Sequence, residues 1–261
     1  MKTRNAAKLK NKKAETAKKS GNVDPASVRW DQNSTKRDSD LTVFRAMAFD
    51  ILHQTKSRKG PLRVLSFPGD RWLWEQNLDS TFDEHKFKFT GLERNTVVHR
   101  RSAKLCGGLP ARYRLMPKTS LIEYLQSPEG RKSEFDIVYL DWMGTWSRDK
   151  KKDLAALLEG KCSVAVGGLL LLTLSLRRGY PETISELEDL SYDLPLTFYD
   201  ARGNDRYVSN LKVRGIPHWV QLEAEKSYGV KMRPIMAHIY YSRCGKGQTQ
   251  PQLQLLFLRE K

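Results

Sequence analysis

Short apolar runs recur along the first two thirds of the chain, each bounded by polar or glycine-rich sequence. Runs at residues 63–67, 86–93 and 135–141 predict strands, and residues 112–115 predict a further short one. The run at 169–174 follows two glycines and is apolar at every position except Thr173. Such a run is expected in a parallel sheet that helices cover on both sides. The pattern therefore predicts five buried strands.

Between these strands, apolar residues recur every three to four positions, as they do on one face of a helix. Stretches of this kind lie at residues 41–52, 71–78, 97–105, 120–126, 147–158, 182–190 and 218–228. Strands that alternate with helices predict βαβ units, right-handed crossovers and a doubly wound sheet.

The last two predicted strands, at residues 237–242 and 252–259, follow one another directly. Residues 243–251 between them hold two glycines and a proline but no helical pattern. So short a connection fits a hairpin and not a crossover helix. The predicted fold class is α/β: a Rossmann-like, mostly parallel seven-stranded sheet with a C-terminal antiparallel hairpin strand and helices on both faces.

The first 40 residues differ in composition from the rest of the chain. Residues 1–20 hold eight Lys and Arg side chains against one acid, Glu15, and no aromatic or β-branched apolar residue. Because so few apolar groups cannot offset the entropy of ordering, residues 1–40 are predicted to be a disordered basic tail. A single domain is expected at residues 41–261. Two roles fit the tail: binding a phosphate backbone, or only keeping the protein soluble.

Net charge is the most pronounced global property of the sequence. It holds 46 Lys and Arg residues against 30 Asp and Glu, a formal charge of +16. This excess favours a polyanionic partner through counterion release. Nucleic acid, DNA or RNA, is the expected partner. A membrane is not expected, since the sequence has no amphipathic basic helix with an aromatic face.

Basic residues are also concentrated within the predicted domain. Residues 94–118 hold seven Lys and Arg side chains and no acid, with His99 and Tyr113 interleaved, and residues 150–152 are three lysines. The first strip suits phosphate tracking with occasional stacking, and a solvated helix face is the alternative interpretation. The predicted nucleic-acid contacts are Lys8, Lys10, Lys12 and Lys13 in the tail, Arg100, Arg101, Lys104, Arg112 and Arg114 in the strip, and Arg177 and Arg178 after the fifth strand.

Several classes of protein are disfavoured. The longest apolar run, at residues 164–174, is far shorter than the roughly 20 residues of a membrane helix, and the lysine-rich start lacks the apolar segment of a secretory signal. We therefore expect a protein inside the cell, cytoplasmic or associated with nucleic acid. Three scattered cysteines, and histidines at 218 and 238 without ligand spacing, predict neither a disulfide framework nor a metal site.

Parallel strands that end in an antiparallel hairpin strand resemble the class I S-adenosylmethionine-dependent methyltransferases. In that family the first strand runs into a glycine-bearing turn against the methionine part of the cofactor, and residues 65–70 occupy this place. Ser66 and a single Gly69 stand where the family has an acid and three spaced glycines. The resemblance implies S-adenosylmethionine as the cofactor. The cofactor contacts it implies are Ser66, Phe67, Pro68, Gly69, Glu93, Met116 and Asp141.

Glu93 ends the second predicted strand, 24 residues after Gly69. This offset is close to that of βαβ nucleotide sites. The resemblance implies that the Glu93 carboxylate accepts hydrogen bonds from the ribose hydroxyls. The alternative is a surface acid paired with Arg94 or Arg101. Met116 lies in the segment where family members contact adenine.

Residues 141–146 follow the central strand, where an open α/β sheet places its ligand crevice. Amino-directed nucleic-acid methyltransferases carry an Asp/Asn-Pro-Pro-aromatic motif there, which orients an exocyclic amine and stacks on the extruded base. The implied catalytic residues are Asp141, Trp142 and Gly144, although both prolines are absent. The alternative is structural, with Asp141 capping the loop and Trp142 and Trp146 in packing.

These features favour an S-adenosylmethionine-dependent methyltransferase that acts on nucleic acid, for example on a base amine. The alternative is a catalytically inactive relative that binds nucleic acid or a protein partner, which the altered first loop supports. A nicotinamide oxidoreductase ranks third, because the G-x-G-x-x-G motif is missing and the terminal hairpin does not fit.

Overall fold

A computed structural model describes residues 34–57, 59–142, 144–159, 163–176, 181–191, 204–243 and 249–261. The described helices are α1 (Ser34–Ser57), α2 (Leu73–Thr81), α3 (Thr96–Cys106), α4 (Leu121–Gln126), α5 (Arg148–Leu158), α6 (Pro181–Ser191) and α7 (Asn204–Tyr228), with a 3₁₀ turn at Gly130–Lys132. The strands are β1 (Leu62–Ser66), β2 (Phe87–Gly91), β3 (Tyr113–Leu115), β4 (Phe135–Asp141), β5 (Val164–Ser175), β6 (Met232–Arg243) and β7 (Thr249–Arg259).

The seven strands form one sheet in the order β3-β2-β1-β4-β5-β7-β6. Strands β1 to β5 are parallel to one another, whereas β7 runs antiparallel to both β5 and β6. The predicted fold class is confirmed, including the hairpin at the end of the chain. The strand order reverses direction between β1 and β4, which makes their carboxyl ends the switch point where such sheets hold ligands.

Side chains of the strands alternate between two buried layers, one on each face of the sheet. On one face, residues of β4, β5 and β7 pack with α4, α5 and α7. On the other face, residues of β1, β2 and β4 pack with α1 and α2. The near-continuous apolar strands therefore follow from burial on both faces.

Helix ends show why individual segments start where they do. The side chain of Asn95 accepts hydrogen bonds from the backbone amides of Val97 and Val98 and so caps α3. Ser120 and Glu123 form a reciprocal capping box at the start of α4.

Two helices are longer than the sequence pattern predicts. Helix α1 begins at Ser34, inside the segment assigned to the tail. Helix α7 begins at Asn204 and continues through Pro217, immediately before the predicted start. The approach of α7 to α6 depends on Gly215, since an added Cβ there would lie 3.0 Å from Leu187. No helix among the described residues has the length and apolar character needed to span a bilayer.

Candidate active site at the carboxyl ends of the parallel strands

Backbone hydrogen bonds tie the segments after β1, β2, β3 and β4 to one edge of the sheet. The Leu92 amide donates to the Ser66 carbonyl (2.9 Å), and the Phe67 amide donates to the Tyr139 carbonyl (3.3 Å). The Met116 amide donates to the Gly91 carbonyl (3.0 Å). The predicted cofactor segments of β1, β2 and β3 are therefore adjacent.

The turn after β1 leaves room beside its backbone. Phe67 is half-buried and Pro68 is buried. Gly69 has a φ of 60°, in the left-handed region that favours glycine, and an added Cβ there would meet no atom within 4 Å. A ligand can therefore approach the backbone at Gly69.

Trp72 lies immediately behind this turn, and sequence reasoning did not single it out. It is fully buried, with a φ of 55°. Its ring lies against Gly91, where an added Cβ would be 2.4 Å from the indole, and makes an edge contact with Tyr113 at 5.7 Å. Packing of this large ring offsets the cost of the left-handed backbone. In the sequence, Gly91 at the end of β2 could have indicated that a large side chain packs against this strand.

Glu93 is half-buried and lies two residues after the end of β2. Its Oε1 accepts a hydrogen bond from the Asn95 amide (2.6 Å). Burial raises the pKa of Glu93, while the backbone hydrogen bond from Asn95 and the charges of Arg94 and His99 lower it. His99 Nε2 lies 2.9 Å from the carbonyl oxygen of Met116, so α3 and β3 meet beside this acid.

Asp141 forms an ion pair with Lys36 of α1, whose Nζ lies 2.5 Å from Oδ2. Burial lowers the pKa of Lys36, but the charges of Asp141 and of Tyr139 raise it, and the net pKa lies well above its ordinary value. The proposed amine-orienting carboxylate is therefore engaged by a side chain from a segment that the sequence analysis assigned to the tail.

Further polar groups are buried between α1 and the sheet. The Ser39 hydroxyl donates to Gln254 Oε1, and Gln254 Nε2 donates to Asp40 Oδ1 (3.1 Å). Burial raises the pKa of Asp40 to about 6. Residues at the end of the predicted tail thus contact β7 within the folded domain.

Glu75 is a fully buried acid of α2, close to the end of β1. Burial raises its pKa to about 7, although the neighbouring Ser66 hydroxyl lowers it. Neither carboxylate oxygen makes a hydrogen bond of ordinary geometry, and neither does the Ser66 hydroxyl. Glu75 was not predicted from the sequence, because an isolated acid in a helical stretch is typical of a surface position.

The Trp142 side chain is buried and packed. Its indole N–H donates to Asp153 Oδ2 (3.2 Å), and its ring makes an edge contact with Trp146 at 6.5 Å. Trp146 in turn contacts Trp219 of α7 at 5.3 Å. This placement corresponds to the packing alternative and not to a ring exposed for base stacking.

In the same loop, Gly144 is exposed and Thr145 is half-buried. Gly144 has a φ of 92°, and its carbonyl accepts a hydrogen bond from the Ser175 amide (2.9 Å). Lys150 Nζ donates to the Thr145 carbonyl, and Lys212 Nζ donates to Thr145 Oγ1 (2.5 Å). Two cationic side chains from different helices therefore meet next to the predicted catalytic loop.

The sheet topology and the position of the site now define the type of fold. Five parallel strands lead into an antiparallel hairpin, and the candidate residues lie at the switch point. The chain has the class I methyltransferase fold.

Solved structures with a similar arrangement include several methyltransferases. N-methyltransferase NodS from Bradyrhizobium japonicum, in complex with S-adenosyl-l-homocysteine, is 12% identical, with a TM-score of 0.49, over 92% of this chain and 94% of that chain. The YcgJ protein from Bacillus subtilis is 10% identical, with a TM-score of 0.44, over 82% and 99%. At such low similarity the fold assignment rests on strand order and direction. The sequence matches no protein-family model and no curated protein.

On this methyltransferase fold, the predicted nucleic-acid residues fall into three groups. Arg100, Arg101 and Lys104 are exposed on α3. Arg112 pairs with Asp79 (2.6 Å) and Arg114 with Glu129 (2.7 Å), so both have acidic neighbours that the basic strip itself lacks. Lys8, Lys10, Lys12, Lys13, Arg177 and Arg178 lie outside the described residues.

In the part of the chain that the structure describes, no group of three or more His, Cys, Asp or Glu side chains is placed to hold a metal ion.

Proposed function

We propose that this chain binds S-adenosylmethionine at the carboxyl ends of β1 and β2 and transfers its methyl group to nucleic acid. The observation that carries the proposal is the adjacency of the open Gly69 turn and the half-buried Glu93, joined through the Ser66 to Leu92 hydrogen bond. Residues 66–69 would hold the methionine part and Glu93 the ribose hydroxyls. The sulfonium methyl of the bound cofactor is the group transferred.

The residues of the chain would contribute mainly by positioning. A half-buried carboxylate is a strong acceptor for hydroxyl donors, because hydrogen bonds to charged groups are stronger than neutral ones. Met116 offers an apolar contact beside the same edge. Direct methyl transfer needs the acceptor held in line with the donor, and exclusion of water from the crevice supports it.

The nucleic-acid part of the proposal is supported by charge. The net charge of +16 and the exposed Arg100, Arg101 and Lys104 on α3, which starts just after Glu93, suit a phosphate backbone that passes the crevice.

A second candidate function is binding of nucleic acid without catalysis. It is favoured by the ion pair between Lys36 and Asp141 and by the burial of Trp142, since both implied acceptor-site groups are engaged in internal contacts. This candidate keeps the basic surface and needs no methyl donor.

Calorimetric titration of the full chain with S-adenosylhomocysteine tests the proposal. Glu93→Ala should weaken binding by roughly 10- to 150-fold, the equivalent of about 1.5–3 kcal/mol for hydrogen bonds to a charged group. Glu84→Ala, at an exposed position before β2, is the matched control and should bind like the wild type.

Two results would contradict the proposal. If the folded wild-type chain shows neither heat nor a thermal shift at millimolar ligand, the binding-only candidate is favoured. If binding is present but Glu93→Ala and Glu84→Ala have equal affinities, the ribose assignment of Glu93 is wrong.

A further inference from the structure

Two lysine side chains from different helices converge on one residue of the loop after β4. Lys150 Nζ, from the first turn of α5, donates to the Thr145 carbonyl, and Lys212 Nζ, from α7, donates to Thr145 Oγ1 at 2.5 Å. Since both ammonium groups bond to the same residue, two positive charges are held close together.

Both lysines are buried to a degree that is rare for this residue type. Lys150 is 8% exposed and Lys212 is 2% exposed. The pKa of each is lowered to about 8, mainly by burial, and the charge of Lys150 contributes to the lowered pKa of Lys212. Two like charges held close together at a site that is largely shielded from water attract an anion strongly.

Charged groups of both signs lie near Lys150. After burial, the charge of Arg94 lowers the pKa of Lys150, while the charges of Asp153 and Asp149 raise it. Asp153 also accepts the Trp142 indole hydrogen bond, and Asp149 is exposed. Arg94 follows Glu93 at the end of β2 and is exposed. It adds a third cation to the same neighbourhood.

The exposed backbone at Gly144 gives a ligand access to the Lys150 ammonium group. Gly144 has a φ of 92°, and an added Cβ would lie 3.8 Å from Lys150 Nζ. A group that lies on the Gly144 surface is therefore within reach of a lysine that is otherwise buried.

We propose that Gly144, Thr145, Lys150 and Lys212 form an oxyanion site that binds a phosphate group. Phosphate matches two or three converging cations better than a carboxylate does, because it carries up to two negative charges and more acceptor oxygens. The position of this site after β4 fits a phosphate group of the nucleic-acid substrate. That choice of source rests on the proposed function, whereas free phosphate would use the same site without it.

The first test is titration of the full chain with inorganic phosphate at constant ionic strength, followed by calorimetry and thermal unfolding. Wild-type protein should bind and gain thermal stability, and Lys150→Met and Lys212→Met should each lose at least about tenfold in affinity. Methionine keeps the apolar stem of lysine without its charge. Lys152→Met, at an exposed position of the same helix, is the matched control and should retain wild-type affinity.

A measurement on the wild type keeps the test decisive if a variant fails to fold. Phosphate should raise the pKa of two lysine ammonium groups, as followed by side-chain NMR, and chloride at equal ionic strength should not. The inference is overturned if wild-type protein shows no phosphate-specific binding. It is also overturned if both methionine variants fold and keep wild-type affinity, or if Lys152→Met loses as much as they do.

Two further titrations separate the source of the phosphate and the proposed function. If a single-stranded hexanucleotide of RNA or DNA binds more weakly to Lys150→Met than to Lys152→Met, the source is a substrate phosphate. If the hexanucleotide binds both variants with equal affinity while Lys150→Met no longer binds inorganic phosphate, the source is not a substrate phosphate and the site binds free phosphate. Absence of S-adenosylhomocysteine binding with intact phosphate binding contradicts the methyltransferase proposal alone.

Discussion

Lys36 and Asp141 are 105 residues apart in sequence, yet the ammonium of one lies 2.5 Å from the carboxylate of the other. Their side chains are 11% and 25% exposed. The pair fastens the start of α1 to the end of β4. It therefore links the N-terminal helix to the edge of the sheet where the cofactor is proposed to bind.

Replacing Lys36 with Met should destabilise the fold by about 1–3 kcal/mol, because Asp141 would keep its charge without this partner. The value is below that for a fully buried pair, since water reaches part of Asp141. Urea unfolding measures it, and the double variant Lys36→Met/Asp141→Asn should recover much of the loss.

Arg233→Met provides the comparison, because it breaks an exposed ion pair with Glu260 and should cost less than about 1 kcal/mol. A Lys36→Met variant as stable as the wild type would mean that the pair does not fasten α1.

The buried Glu75 predicts a pH-dependent stability. Its pKa is raised from 4.5 to about 7, so between these values the folded state holds a proton that the unfolded state releases. The neutral acid therefore contributes its full stability below pH 4.5, and this contribution is lost as pH rises through 7. The total loss in unfolding free energy is about 3 kcal/mol. Glu75→Gln cannot titrate, so its stability relative to the wild type should grow by about that amount from pH 4.5 to pH 8.

Urea unfolding of both proteins across this range measures the difference. Glu84→Gln, at an exposed position, should follow the wild-type curve. Parallel wild-type and Glu75→Gln curves would contradict the buried, neutral form of Glu75.

The contact between Trp72 and Gly91 predicts intolerance of a single methyl group. Gly91→Ala would place a Cβ 2.4 Å from the Trp72 ring, and overpacking of this kind costs about 1–3 kcal/mol. At Gly60 an added Cβ meets no atom within 4 Å, so Gly60→Ala should change the unfolding free energy little. Equal thermal stabilities of the two variants would argue against this packing of Trp72.

The basic tail predicts a salt effect on nucleic-acid affinity. Deleting residues 1–20 removes eight Lys and Arg side chains, and each lost phosphate contact should reduce the slope of log K against log salt by about 0.7–0.9. Fluorescence anisotropy with an oligonucleotide at several salt concentrations measures the slope. A chain of full length with those eight residues changed to Gln should match the deletion, and an unaltered slope in either would assign the tail a solubilising role.

Much of the fold was predictable because burial on both faces leaves a local signature. The apolar runs of β1 and β4 and the two strands after α7 are visible without knowledge of their neighbours. The beginning of α1 was not predictable, because the polar side chains of Lys36 and Asp40 find their partners only on β4 and β7.

The candidate site was less predictable than the sheet. Residues 66–69 and Glu93 could be placed by their position after strands, because the carboxyl ends of parallel strands share one edge. The roles of Glu75, Lys150 and Lys212 depend on long-range packing, and a lysine within a three-lysine run gives no local sign of being 92% buried. Trp142 likewise shows its packing only once α5 and α7 are in place.

The most direct test of the proposed cofactor site is an experimental structure of the full chain with S-adenosylhomocysteine bound. The proposal predicts the ribose hydroxyls within hydrogen-bond distance of the Glu93 carboxylate and the methionine part over the Gly69 turn. Ligand bound elsewhere, or a crevice between Gly69 and Glu93 closed by side chains in crystals grown with saturating ligand, would contradict it.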